Sequence, residues 1–161
     1  MVDIYIHLEF IYKFMEFSRY FFEAEEKDDI KRTLEKIPKT HSNLVKDYKI
    51  VFQPGNCLKG DDRHIGLIDE KNKTITIAAP YNYGREYTLL HEVGHAVWKF
   101  IVGEKRKKAW KKLLAKERRL NKSHLDQDDE EIFCMIYAQR YAKNKLKKFD
   151  HESLVDFVSK I

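Results

Sequence analysis

The sequence predicts an α+β fold in which a helix leads into a small, mostly antiparallel three-stranded sheet and a run of helices closes the chain. Three observations predict it. Apolar residues recur at helical spacing before residue 37 and again after residue 83. Strand-like segments rich in β-branched and aromatic residues are confined to residues 48–78. The polar run Glu70-Lys71-Asn72-Lys73 separates two of those segments as a hairpin turn would. With 161 residues, three prolines, six glycines and no repeat, the chain reads as one domain over residues 1–161 around one core.

Leu8, Ile11, Met15, Phe21 and Phe22, followed by the charged run Glu23 to Lys36, predict one long or broken amphipathic helix that Pro38 ends. Leu44 to Lys46 reads as a short helical turn, and Tyr48, Ile50, Val51 and Phe52 as a strand. His64 to Asp69 and Thr74 to Ala78 form the hairpin, and Pro80 fits an edge position for its second strand. Asn82 is expected to cap a helix from about Tyr83 to Val102, stopped by Gly103. Helices from Glu104 to about Leu120, Asp128 to Lys143 and Glu152 to Ser159 complete the chain, the second carrying Ile132, Phe133, Ile136, Tyr137 and Tyr141 near one stripe.

Two cysteines, Cys57 and Cys134, are too few for a disulfide framework and are expected as free thiols. Asp3, His7, Glu9 and Glu16 interrupt the apolar N-terminal stretch, which excludes a signal peptide or a membrane span there. A cytoplasmic protein is the expectation, and leaderless export is compatible with it. Charge is concentrated in one place. Residues 105–122 hold ten cationic side chains against the single Glu117, a net +9 in a chain of net +5, so the remainder is acidic at −4.

The chemistry lies in Thr88-Leu89-Leu90-His91-Glu92-Val93-Gly94-His95-Ala96-Val97, which contains a complete HExxH. Four residues are slightly more than one helical turn, so His91 and His95 project from one face and can present two imidazole nitrogens to a zinc ion. Glu92 lies about 100° round the helix, off the metal but within reach of an attacking water, as a general base requires. The surrounding Leu89, Leu90, Val93, Ala96 and Val97 predict a buried helix, where polar side chains are costly to desolvate without partners. Gly94 would let another element approach closely.

A catalytic zinc needs a third protein ligand. The extended motif with a third histidine is excluded, because Ile101 stands at that position and Trp98 at its glycine. A carboxylate from a later helix remains, and Glu131, opening the apolar run Ile132 to Ala138, is the leading candidate. Asp128, Asp129 and Glu130 compete with it, and all four also suit the positive end of a helix dipole.

Three stretches, Gly66-Leu67-Ile68-Asp69 through Thr74-Ile75-Thr76-Ile77, then Thr88 to Ala96, then Asp129 to Ala138, resemble the gluzincin metallopeptidases. The closest likeness is to the family of the anthrax lethal factor catalytic domain and the clostridial Pro-Pro endopeptidases, over about Lys36 to the C-terminus. The resemblance implies a zincin-like fold with a C-terminal helical subdomain, zinc as cofactor on His91, His95 and Glu131, Glu92 as catalytic base, and a peptide or protein as substrate. Met135 replaces a second family glutamate, so support for the metal histidines must come from elsewhere. His124 stands where the family has an oxyanion-stabilising tyrosine, and as a hydrogen-bond donor it is a candidate catalytic substitute. The repressor-cleaving metallopeptidases of mobile elements share the same pattern.

A different class begins from residues 105–122, where Trp110, Leu113, Leu114 and Leu120 interleave with the cations. This segment is either a solvated helix face over an apolar stripe or a surface for an anionic partner such as nucleic acid. An inactive zincin scaffold serving as a binding module is the corresponding alternative to a peptidase.

Overall fold

The computed structural model describes residues 25–53, 65–78, 84–120, 127–143 and 151–161. Contacts divide the chain into two compact units, Met1–Arg32 and Thr33–Ile161. Residues 25–34 are helical (α1), and in the first unit Arg32 pairs with Asp29 at 2.8 Å, one turn apart. The earlier part of the expected N-terminal helix lies outside the described residues. The remaining elements lie in the second unit.

Its elements are α2 (Lys39–Ser42), β1 (Lys49–Phe52), β2 (Gly66–Asp69), β3 (Thr74–Ile77), α3 (Arg85–Phe100), α4 (Glu104–Leu120), α5 (Asp129–Tyr141) and α6 (Glu152–Ser159). The α+β class holds: six helices and one three-stranded sheet among the described residues. The turn between β2 and β3 is closed by Asp69, whose carboxylate accepts from the Asn72 backbone N–H at 3.0 Å and its side-chain amide at 2.8 Å. Lys73, at φ 51°, takes the left-handed conformation that returns the chain.

The sheet departs from expectation in two respects. It is mixed, because β1 pairs parallel with β3 while β2 pairs antiparallel with it. Its order is β1-β3-β2, so Thr74–Ile77 is the central strand and not an edge. Ile75 and Ile77 are accordingly fully buried. The physical reason is connection length: only β2 and β3 are joined tightly enough for a hairpin, and β1 reaches its partner through a long connection, as parallel pairing requires. The exposed edge on the far side of β3 from β1 is therefore β2.

Helix α3 starts after Gly84, which offers no capping side chain; the expected cap Asn82 lies outside the described residues. One face of α3, formed by Leu89, Leu90, Val93 and Val97, is buried. It packs against Ile132, Phe133, Ile136 and Tyr137 of α5, which are equally buried. Gly94 sets the closeness of that contact, since a Cβ there would lie 3.0 Å from Cys134 Cα and 3.2 Å from its Cβ. Trp110 and Leu114 of α4 and Leu154 and Val158 of α6 close the far side. Trp110 meets Phe133 edge-on at 5.5 Å between ring centres, and its indole N–H donates to Asp129 O at 2.8 Å.

Candidate metal centre

Both motif histidines sit on the outer face of α3, at the floor of a cleft of about 580 Å³ between β2 and the first turns of α5. Their rings meet edge to face at 5.1 Å. Glu131 reaches across from α5: its Oε2 lies 3.2 Å from His91 Nε2 and its Oε1 lies 3.4 Å from His95 Nε2. The side chains of His91, His95 and Glu131 are 18%, 20% and 40% exposed, so the triangle opens to the cleft.

Neighbouring carboxylates do different work. Asp128 caps α5, accepting from the Glu130 and Glu131 backbone N–H groups at 3.0 and 2.9 Å. Asp129 points to α4 and pairs with Arg118 at 3.0 Å. Glu130 turns to His95, its Oε1 accepting from Nδ1 at 2.8 Å. A methionine such as Met135 could not make such a bond. A proton held on Nδ1 leaves Nε2 with its lone pair toward Glu131, the arrangement found behind metal-bound histidines.

Glu92 lies on the inner side of the same turn, buried at 5% exposure. Burial pushes its carboxyl above the usual carboxylate range, opposed by the nearby His91 and His95, while Glu131 raises it further. The Ile68 backbone N–H donates to it and favours the ionised form. In the β2–β3 ladder Ala78 N–H bonds to Ile65 O at 2.9 Å, so Gly66 and Ile68 aim their peptide groups away from β3. Glu92 comes this close to the strand because Gly66 has no side chain. A Cβ there would lie 2.7 Å from Thr88 Cγ2 and 2.9 Å from Glu92 Cδ.

Two donor sets share the histidines. His91, His95 and Cys134 can each offer an atom within 4.8 Å of the others. Cys134, however, is fully buried, and burial together with the charges of Glu131, Glu130, Glu92 and Asp128 pushes its thiol well above its ordinary pKa. Glu131 lines the cleft with the two histidines, and Cys134 is not among its described lining residues. Donors about 2.0–2.1 Å from a tetrahedral zinc stand about 3.3 Å apart, and each Glu131 oxygen lies near that distance from one imidazole, Oε2 at 3.2 Å from His91 and Oε1 at 3.4 Å from His95. Charge agrees as well: Glu70, Glu92, Glu130 and Glu131 line the cleft, and Lys99, the only Lys or Arg among its described lining residues, is paired with Glu70.

Of the residues singled out in the sequence, His91, Glu92, His95 and Glu131 thus come together in one cleft. His124 lies outside the described residues, as does Cys57. The roles of Gly66 and Glu130 were missed. An isolated glycine inside a strand is a signal of close backbone approach and could have indicated the first; the second had only adjacency to Glu131. No protein-family model, curated protein or solved structure matches the chain.

Proposed function

We propose that this protein is a zinc-dependent metalloendopeptidase of the gluzincin type. The observation that carries the reading is the Glu131 carboxylate standing 3.2 and 3.4 Å from the two imidazole Nε2 atoms of the HExxH helix, with buried Glu92 beside them. His91, His95 and Glu131 would hold the metal, and Glu130 would orient His95. Zinc in such a site supplies Lewis acidity, polarising a carbonyl and acidifying water.

The remaining chemistry belongs to the chain. Ionised Glu92 takes a proton from the attacking water as the new C–O bond forms at the scissile carbonyl carbon. It then delivers that proton to the amide nitrogen as the C–N bond breaks, so the products are a carboxylate and an amine with no covalent intermediate. The Ile68 N–H keeps the Glu92 carboxylate turned to the cleft. Apart from the Ile68 N–H, which Glu92 takes, edge strand β2 offers its outward main-chain groups to an extended peptide, with Leu67 41% exposed beside it.

The reading is tested by zinc analysis and peptide-library cleavage with the Glu92→Gln variant. Zinc-dependent cleavage that Glu92→Gln abolishes while retaining the metal is the expected outcome. Full activity in that variant would refute Glu92 as the base, and zinc without any turnover would leave a metal-holding binding module.

A further inference from the structure

Helix α4 divides its two faces completely. Trp110 and Leu114 have no exposure, and Leu113 is half-buried, so the apolar stripe is spent in the core. On the opposite side Lys105, Lys108, Lys112, Lys116 and Arg119 are all exposed. At 100° per residue they fall within an arc of about 80°, and at 1.5 Å per residue they run about 21 Å along the axis. Ala109 and Ala115, also exposed, flank the stripe and leave it unobstructed.

The acids of this region do not neutralise it. Glu117 turns inward, within 3.1 Å of His151 Nδ1 and accepting from Ser153 Oγ at 2.5 Å. Glu104 pairs with Lys107, which itself lies over the Trp98 ring at 5.3 Å. Asp129 is taken by Arg118 at 3.0 Å and Lys111 at 4.0 Å. The five cations of the stripe make no ion pair among the described residues. Holding five like charges on one rigid face is unfavourable without an anionic counterpart.

We infer that this face of α4 is a docking surface for duplex DNA, bound through its phosphates. The chemistry of the face selects among polyanions. An anionic membrane is best held when an apolar helix face also inserts, and here that face is buried. Single-stranded nucleic acid is gripped by exposed aromatic rings, of which the stripe has none. An acidic protein surface gains its affinity from aromatic or aliphatic anchors, and only two alanines stand here. B-form DNA sets its phosphates along a major groove wide enough to admit a helix, whereas that of A-form RNA is too narrow. The surface is separate from the proposed peptidase site, since none of the five cations is among the described lining residues of that cleft.

The test is fluorescence anisotropy with a labelled mixed-sequence DNA duplex of about 20 base pairs. Five phosphate contacts give a slope of log K on log salt of about −4.5 between roughly 50 and 200 mM salt. The triple variant Lys108→Gln, Lys112→Gln, Lys116→Gln should reduce the slope to about −2, and Lys112→Gln alone by about 0.9. The single variant decides the matter if the triple one folds poorly. His91→Ala should bind DNA as the parent does, which separates this surface from the metal centre. Absence of binding at about 50 mM salt, an unchanged slope in the variants, or equal binding by duplex RNA, phosphatidylserine vesicles or polyglutamate would each overturn the assignment.

Discussion

Replacing Glu130 with glutamine should weaken zinc binding about tenfold without removing the site. In the structure Glu130 Oε1 accepts from His95 Nδ1 at 2.8 Å, a charge-assisted hydrogen bond on the ring whose other nitrogen faces Glu131. Hydrogen bonds to charged groups contribute about 1.5–3 kcal/mol when well formed, and outer partners of metal ligands are generally worth about 10–100-fold in affinity. The Glu130 side chain is 41% exposed, so water competes for His95 and the lower end of that range applies. Glutamine keeps the size and an acceptor oxygen while losing the charge. Zinc affinity measured by competition with a chromophoric chelator at neutral pH gives the comparison. Glu131→Gln should lose zinc far more severely under the same conditions. Equal affinities for the parent and Glu130→Gln would refute the orienting role, and a loss in Glu130→Gln as deep as in Glu131→Gln would make Glu130 a ligand.

Gly66→Ala should retain zinc but lose at least about tenfold in peptidase rate, because its Cβ would crowd Thr88 and the Glu92 carboxylate; undiminished kcat would contradict this. In Gly94→Ala the new methyl meets the Cys134 backbone, and overpacking of about 1–3 kcal/mol outweighs a helix-propensity gain of about 1 kcal/mol. A lower Tm is expected, and a higher one would mean that α3 and α5 pack less tightly than described. Buried His41, bonded to Tyr137 Oη at 3.0 Å, has its pKa lowered from 6.5 by burial, against an opposing contribution from the Ile161 backbone. The unfolded chain therefore binds the proton more readily, so stability is full above the unfolded value near 6.5 and declines as pH falls below it. Urea midpoints from pH 8 to about pH 5 should decline less in His41→Gln, and parallel declines would exclude His41 as the source.

Local signals made much of this legible. The polar run Glu70 to Lys73 gave away the hairpin because Asp69 and Asn72 close it through their own backbone and side chains. His91 and His95 were readable because a helix fixes residues four apart on one face. Partners distant in sequence were not. The pairing of Lys49–Phe52 with Thr74–Ile77 depends on a long connection that leaves no mark in either strand, which is why the sheet is mixed and β2 is its edge. Asp129, Glu130 and Glu131 stand about 100° apart on one turn, so which carboxylate faces the histidines depends on how α5 approaches α3. Gly94 against Cys134 sets that approach. Composition alone cannot show it.

The most direct test of the proposed metal centre is zinc per chain in protein purified without added metal, set beside His91→Ala and Glu131→Ala. One equivalent in the parent, lost in both variants, is the expected result. No zinc in the parent, and none taken up on titration at neutral pH, would contradict the metal centre and the peptidase reading built on it.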